Sequence, residues 1–465
     1  MRRAAALLPL ALAACSMAPR YVRPELPVPP SWPVGDAYLR QAEAALPAVT
    51  YPQVFRDPRL QQVIARALAN NRDLRIAVAN IEQARALYRV QRAAQLPQID
   101  ANQRTQRQGG SQQGAFGGFS QANISVSAFE LDLFGRVASL TGAALNRFFA
   151  QEAAARATRL TLVGDVAEAW LTYAADRSLL RVAEDTARIA QRSVELTRAR
   201  LEGGVAPRTD LTQAQQLLAT AQVQLAQQRT LVAQDVNALQ LLVGAPVDPA
   251  LLPGSIEEAT ATLATLPAGL DSAVLLRRPD VVQAEYALRA ANAEIGAARA
   301  ALFPRISLTG LLGFASRSLT GLFSGDAFTW TVGDTVNYPI FRAGAGRANV
   351  RATEAQRDAA LATYERAIQA AFREVSDALA RQGTIAEQLQ ASRLLASATA
   401  ETLRLNDARY RGGIDAFLTV LDAQRSQLQA QQTLVNTELQ AGVNRVSLYR
   451  ALGGDATLTA PPTGP

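Results

Sequence analysis

The sequence predicts a mainly α-helical protein with a few short β-strands, built as a tandem duplication. Three observations predict this fold class. Long stretches carry an apolar residue at every seventh position, short stretches alternate apolar and polar residues, and the same motifs return in the same order at a shift of 207 to 209 residues.

The duplication is visible in short motifs that keep their order. Four corresponding pairs are Arg72-Asp73-Leu74 with Pro279-Asp280-Val281, Leu96-Pro97 with Phe303-Pro304, Leu133-Phe134 with Ile340-Phe341, and Gly203-Gly204-Val205 with Gly412-Gly413-Ile414. The two repeats therefore span 58–244 and 273–454, with a Pro- and Gly-rich linker at 245–272 and a tail at 455–465.

Each repeat is predicted to contain a helical segment and a long helical hairpin. The segments, about 60–96 and 273–303, end at a proline. The hairpins, 136–243 and 346–452, reverse at a Gly-Gly pair, and the first returning helix has apolar residues at strict sevens: Leu211, Leu218, Leu225, Val232 and Leu239. This period predicts closely packed helices with a left-handed supercoil. At 1.5 Å per residue, 136–201 would form a rod of roughly 100 Å.

Between segment and hairpin, each repeat has two predicted strands: about 98–108 and 119–132 in the first, about 305–316 and 326–340 in the second. In the third strand Ile306, Leu308, Leu312 and Phe314 share one face, whereas the first strand is nearly all polar. Gly-rich stretches at 109–118 and 316–325 would join each pair as a hairpin loop.

Alternating strands of this length are typical of membrane barrels, but four strands cannot close one. An open sheet edge in lipid leaves backbone groups unpaired, so membrane-embedded strands would require an oligomer. Two copies would give about eight strands with a filled interior, and three about twelve with an open lumen. A soluble four-stranded sheet beside a coiled coil is the alternative, and the alternation alone does not decide between them.

Composition excludes most enzyme classes. The 465 residues include no His, one Cys and no Lys, so all 47 basic residues are Arg. Zinc sites, Ser-His and Cys-His nucleophiles, the P-loop lysine and Schiff-base chemistry are therefore excluded, although carboxylate chemistry is not. We expect no enzyme, no catalytic or metal site and no cofactor. The formal charge is +7, but the arginines form no basic run with aromatic residues, so we expect no nucleic-acid partner.

The amino terminus predicts export and a lipid anchor. Residues 1–14 have a charged start and an apolar run too short to span a bilayer, as in a signal peptide. Leu-Ala-Ala-Cys15 resembles the bacterial lipobox, which implies cleavage before Cys15 and covalent lipid on it, and Ser16 then favours the outer membrane. A secreted protein with a spare Cys is the alternative. Residues 15–57 are Pro-rich and indicate an extended tether.

Four motifs resemble the outer-membrane efflux proteins, the TolC-like channels, and in particular the lipoprotein branch that serves resistance-nodulation-division pumps. They are Phe55-Arg-Asp-Pro-Arg-Leu60, Phe129-Glu-Leu-Asp-Leu-Phe-Gly-Arg136, Leu275-Leu-Arg-Arg-Pro-Asp-Val281 and Tyr338-Pro-Ile-Phe341. The resemblance implies a homotrimer with a twelve-stranded barrel in the outer membrane of a Gram-negative bacterium. It further implies an α-helical tunnel through the periplasm, an equatorial belt built partly from the linker, and docking to a periplasmic adaptor and an inner-membrane pump.

The same resemblance suggests two functional sites. The hairpin tips, Gly203, Gly204, Val205, Gly412, Gly413 and Ile414, would contact the adaptor, with Arg200, Arg409 and Tyr410 as flanking contacts. Leu418, Asp422 and Arg425 match the family's aperture motif and share a helical face, so in a trimer they would form rings that close the periplasmic mouth. An exposed intrahelical ion pair is the alternative. The first repeat has Thr209, Gln213 and Gln216 instead, so a gate should depend on the second repeat.

The predicted function is a passive outer-membrane exit duct for small molecules such as drugs and toxic compounds. The alternatives are a periplasmic adaptor and a structural coiled-coil lipoprotein without a pore. The duplication argues against an adaptor, and Trp330 with the Gly-rich hairpins argues against a simple coiled coil.

Overall fold

The computed structural model describes residues 17–29, 31–33, 50–108, 117–265 and 272–454. The elements are α1 (Tyr51–Val54), α2 (Pro58–Asn70), α3 (Arg72–Ala93), β1 (Ile99–Gln108), β2 (Gly117–Leu131), α4 (Arg136–Glu202), α5 (Arg208–Val243), α6 (Ile256–Ala261), α7 (Pro279–Ala300), β3 (Arg305–Ser316), β4 (Phe328–Asn337), α8 (Ala345–Arg411) and α9 (Phe417–Ala451). Within this part of the chain no helix is long and apolar enough to cross a membrane.

The elements repeat as the sequence does. Helices α3 and α7 both have 22 residues, α4 and α8 both have 67, and α5 and α9 have 36 and 35. Left-handed glycines recur at equivalent positions, with φ of 73° at both Gly204 and Gly413 and of 71° and 68° at Gly244 and Gly453. One 22-residue helix, two strands and one long hairpin therefore belong to the structural unit that was duplicated.

The four strands form one antiparallel sheet in the order β1-β2-β3-β4. Register places the apolar residues of neighbouring strands on the same face, since Leu312 pairs with both Ile124 and Trp330. Strand β2 carries a bulge between Val126 and Phe129, where Ala128 has a φ of 50°. Within the described residues, β1 and β4 are the edge strands.

The chain divides into two compact units that cut across the repeats. The first contains the sheet with Ala79–Ala153, Val282–Arg366 and the amino-terminal segment up to Glu25. In this unit Phe149 on α4 contacts Tyr286 on α7 at 5.2 Å between ring centroids, and Arg299 on α7 donates to Glu354 on α8 at 2.8 Å. Helix α7 therefore packs between α4 and α8.

The second unit contains Leu26–Val78, Ala154–Val281 and the chain from Ala367 onwards. Its core includes the fully buried Trp170, whose Nε1 donates to the Leu251 carbonyl at 3.0 Å, and an edge-to-face pair of Phe55 and Tyr449. Residues of the predicted linker are part of this core, because Ile256 is buried and Arg445 donates to the Thr260 carbonyl at 3.0 Å.

Three elements differ from the sequence prediction. The segment predicted at 60–96 is broken at Asn71, whose side chain accepts from the Leu74 amide at 2.9 Å as a helix cap and donates to the Leu242 carbonyl at 2.8 Å. The segment predicted at 273–303 begins with a 3-10 turn before Pro279, because proline favours the first position of an α-helix. Strand β4 is shorter than predicted and ends at Asn337.

The Pro-rich tether predicted for 15–57 includes helix α1 at Tyr51–Val54, with Pro52 in its first turn. Cys15, the predicted signal peptide, the predicted tail and most of the loop after β1 lie outside the described residues.

Candidate functional site

The two hairpin tips have the same backbone construction. At the first tip the Val205 amide donates to the Arg200 carbonyl at 2.9 Å and the Gly204 amide to the Leu201 carbonyl at 3.0 Å. The second tip repeats these bonds from Ile414 to Arg409 and from Gly413 to Tyr410 at the same distances. This pair of bonds is the Schellman motif, which requires a left-handed residue at the position of Gly204 and Gly413.

Each tip leaves one apolar side chain in solvent. Val205 is 68% exposed and Ile414 is 67% exposed, and both directly follow the left-handed glycine. The tip residues predicted from the sequence therefore form two similar exposed turns, each with an aliphatic side chain available for contact.

The arginines beside the two turns are equivalent in sequence but bond differently. Arg409 makes two hydrogen bonds with Asp415, at 2.5 and 3.0 Å. The first repeat has Ala206 in place of Asp415, and Arg200 instead lies over the ring of Tyr410 at 4.8 Å. Arg200 therefore links the first hairpin to the second.

Tyr410 is not available as a surface contact in the protomer. It is 3% exposed and packs in a cluster with Phe417, Val420 and Leu421 of α9 and with Val194 and Ala214 of the first hairpin. The suggestion that Tyr410 flanks the tip as an adaptor contact is therefore wrong for the protomer, since an aromatic ring beside a turn is more stable in a core than in water. Its hydroxyl has no hydrogen-bond partner among the described residues.

Leu418, Asp422 and Arg425 lie together on the exposed face of α9. Leu418 is 54% exposed, and the side chains of Asp422 and Arg425 are 66% and 64% exposed. The nearest charged atoms of Asp422 and Arg425 are 4.0 Å apart, at the outer limit of an ion pair. Asp422 and Arg425 are therefore only weakly paired with each other. Val420 and Leu421, on the opposite face of α9, are buried.

Thr209, Gln213 and Gln216 lie at the equivalent positions of α5 and are likewise exposed, but they carry no charge. The difference between the repeats at this face is therefore chemical rather than structural.

The amino-terminal segment is bound to α7 through Glu285, a site that the sequence did not reveal. Glu285 is 4% exposed and accepts from Arg23 at 3.0 and 2.8 Å, from the Tyr21 hydroxyl at 3.2 Å and from Arg289 at 2.6 Å. Burial alone would raise the pKa of Glu285, but the bonds from Arg23 and Arg289 outweigh it and hold the pKa below its ordinary value.

Two further contacts of α7 complete this docking site. Asn292 donates to the Pro19 carbonyl at 2.8 Å, and a side-chain carbon added to Gly296 would lie 2.7 Å from the Ala18 nitrogen. Only glycine therefore allows the segment to approach α7 so closely. The first-repeat helix α3 carries Arg85 and Arg89 at the equivalent positions, so the docking site belongs to the second repeat alone.

An acidic pair joins α4 and α5. Gln228 donates to Asp176 Oδ1 at 2.8 Å, and Asp176 faces Asp235. Burial of Asp235, together with its hydrogen bond to Asp176 and the charge of that residue, raises the pKa of Asp235 to about 7. This carboxyl therefore holds a proton at mildly acidic pH.

The comparisons with known proteins identify the family. The family model for outer membrane efflux protein matches twice, at residues 63–245 and 270–454. The chain belongs to the outer membrane efflux protein family. The two matches coincide with the two repeats, and with them the tandem-duplicated fold class predicted from the sequence is confirmed.

Individual relatives agree with this assignment. The chain is 46% identical over 451 residues to the probable efflux pump outer membrane protein TtgC of Pseudomonas putida, covering 95% of this chain and 93% of TtgC. It is 41% identical to the outer membrane protein OprJ of Pseudomonas aeruginosa, covering 97% and 95%. The open state of the Neisseria gonorrhoeae MtrE outer membrane channel is 34% identical with a TM-score of 0.83, covering 95% and 98%.

As a member of this efflux protein family, the chain is an outer-membrane efflux channel and not an enzyme. This confirms the predicted function and cellular location. It also rules out the adaptor and the pore-free coiled-coil lipoprotein as descriptions of the chain.

Proposed function

We propose that three copies of the chain form the exit duct of a tripartite efflux system, in which this outer-membrane channel receives small molecules from an inner-membrane pump through a periplasmic adaptor. Transport through the duct is passive and is powered by the inner-membrane pump.

The sheet is the observation that carries this proposal. Its apolar face is exposed in the protomer, where Trp330 is 68% accessible, Val332 74% and Ile124 56%. Its two edge strands are β1 and β4. Such a face suits lipid, but unpaired edges in lipid cost several kcal/mol per backbone group. Joining β4 of one copy to β1 of the next removes both edges, and three copies give about twelve strands around an open lumen.

The amino terminus adds a lipid anchor to this assembly. Cys15 carries covalent lipid and inserts in the inner leaflet of the outer membrane, while the segment that follows it is bound to α7 through Glu285. Two residues separate Cys15 from Ala18 in the sequence, so the lipid would tether the same segment that docks on α7.

The periplasmic end is closed by the exposed face of α9. Three copies would place Leu418, Asp422 and Arg425 in rings around the axis, where the weakly paired Asp422 and Arg425 bond across subunits. A ring of Asp in a narrow pore favours cations. The exposed Val205 and Ile414 at the hairpin tips contact the adaptor.

Conductance across planar bilayers tests the proposal. We expect wild-type protein to insert as a complex of three times the protomer mass and to conduct with a small, cation-selective current. Asp422→Ala should raise single-channel conductance and reduce cation selectivity, because it removes the ring of charge and its bonds.

Gln213→Ala at the equivalent position of the first repeat is the matched control and should change little. A protein that stays monomeric in mild detergent and conducts nothing would contradict the duct. If the protein conducts and the two substitutions have equal effects, the assignment of the aperture to α9 would be contradicted and the duct would not.

A further inference from the structure

We propose that Ile340 and Phe341 of one protomer pack on Leu96 of the neighbouring protomer. This contact between copies is the equivalent of the contact that Phe134 and Phe303 make within each copy. The inference rests on the proposed assembly of several copies and adds to it the residues and the strand register of the subunit interface.

The contact within the protomer is the template. Phe134 follows β2 and belongs to the first repeat, and Phe303 lies between α7 and β3 in the second. Their rings stack with centroids 4.7 Å apart and planes 24° from parallel. This stacked pair lies at the end of the β2-β3 ladder, beside the pairing of Leu131 with Ile306. It is therefore one of the apolar contacts between the first repeat and the second.

The duplication gives each member of this pair an equivalent. A shift of 207 residues converts Phe134 into Phe341 and Phe303 into Leu96. These equivalents flank the two edge strands, since Leu96 precedes β1 and Phe341 follows β4. The sheet order β1-β2-β3-β4 places those strands at opposite edges, so no ladder of the protomer brings them together.

Their exposure indicates that each lacks its partner. Ile340 is 89% exposed, Phe341 86% and Leu96 70%, whereas Phe303 in the template pair is 39% exposed. Large apolar side chains exposed to this degree beside a sheet edge are typical of an interface. A second copy supplies the missing partner at both edges at once, because the Phe341 end of one copy fits the Leu96 end of the next.

The strand register tests this assignment for consistency. Phe129 pairs with Leu308 in the β2-β3 ladder. The same shift converts this pair into Val336 of β4 and Ala101 of β1 in the next copy. Val336 shares the apolar face through its pairing with Ile306, and Ala101 shares it through its pairing with Ile124. The transferred register thus places Val336 and Ala101 on the same face of the joined sheet, whereas a slip of one residue would place them on opposite faces.

Cysteine cross-linking in membranes tests the contact. The chain has a single Cys, Cys15, whose thiol is blocked by the proposed lipid, so introduced pairs report their own distances. With a short bifunctional maleimide, Leu96→Cys with Phe341→Cys should give bands at two and three times the protomer mass on a denaturing gel. The template pair, Phe134→Cys with Phe303→Cys, should react to the same extent but stay at the protomer mass.

Two further variants fix the interpretation. Leu96→Cys with Phe323→Cys joins two exposed residues at opposite ends of the strands, since Phe323 lies in the β3-β4 loop, and should not cross-link. Each single-Cys variant should stay at the protomer mass. Multimeric bands from these controls at the level of the Leu96–Phe341 pair would overturn the inference by showing that the cross-link is nonspecific.

The outcomes separate this inference from the proposed function. A conducting complex of three times the protomer mass in which the template pair reacts and the Leu96–Phe341 pair does not would overturn the inference alone and would indicate lipid over Ile340 and Phe341. Protein that is monomeric and does not conduct would overturn the duct as well.

Discussion

The Glu285 carboxylate accepts most of the side-chain hydrogen bonds that hold the amino-terminal segment to α7, and its removal should weaken that attachment. Glu285→Ala deletes the acceptor of three hydrogen bonds from the segment, two from Arg23 and one from Tyr21. A bond to a charged group contributes about 1.5–3 kcal/mol when buried. Because the Arg23 side chain is 49% exposed, solvent screening reduces its share, and we expect a total loss of about 2–3 kcal/mol.

Trypsin measures this loss directly, because the segment has one susceptible bond. Arg20 is followed by Tyr21, whereas Arg23 is followed by proline, which blocks cleavage. Cleavage at Arg20 requires the segment to leave α7, so its rate follows the population of the open form. A loss of 2–3 kcal/mol corresponds to a rate about 30- to 150-fold higher, since about 1.4 kcal/mol is a factor of ten.

A matched control is available on the corresponding helix of the first repeat. Glu82→Ala removes an exposed acid on α3 that pairs with Arg85 at 2.9 Å, and it should leave the cleavage rate unchanged. If Glu285→Ala and wild-type protein are cleaved at Arg20 at equal rates while folding is intact, the docking energy does not lie in Glu285.

Two further predictions concern the helical hairpins. Folded Asp235 titrates near 7 and unfolded Asp near 3.8, so the folded protein holds a proton that the unfolded chain has released, and the free energy of unfolding falls as the pH rises from about 4 to about 7. Asp235→Asn should remove this loss. Unfolding in denaturant should show a free energy of unfolding higher by about 1–2 kcal/mol at pH 8, after allowance for solvent screening, and unchanged at pH 4. Equal gains at both pH values would contradict the assignment. Tyr410→Ala should lower the free energy of unfolding by about 3–5 kcal/mol because it leaves a cavity in the cluster around Tyr410, and amide hydrogen exchange around the tip should become faster. Tyr410→Phe should cost little because the hydroxyl has no described partner. Equal exchange in the two variants would contradict a packing role for the ring.

The parts of the fold that the sequence predicted are those with local or periodic signals. The seven-residue period identified the long hairpins, and glycine pairs identified the turns, since Gly204 and Gly413 have the positive φ that other residues avoid. The break at Asn71 carried no such signal. An Asn inside a helical pattern is common, and the bond that holds Asn71 in its capping position is a tertiary one, to the Leu242 carbonyl.

The docking site on α7 was missed because its partners are about 260 residues apart in the chain. Glu285 and Arg289 have the spacing of an ordinary exposed ion pair on a helix, and nothing local marks Glu285 as buried. Comparison of the repeats offered one signal. Gly296 interrupts a helix at a position where the first repeat has Arg89, and a glycine in mid-helix indicates a close neighbour.

The two repeats differ in length at one position, where the second repeat has two extra residues between β4 and α8. Gly135 and Gly344 are equivalent left-handed glycines that begin α4 and α8, with φ of 72° and 83°. Phe134 directly precedes the first, whereas Arg342 and Ala343 separate Phe341 from the second. Ala343 adopts a φ of 46°, which is costly for a residue with a side chain and therefore needs a compensating gain. Burial of Ile340 and Phe341 against a neighbouring copy would supply that gain, since each fully buried large apolar side chain contributes about 1.5–3 kcal/mol.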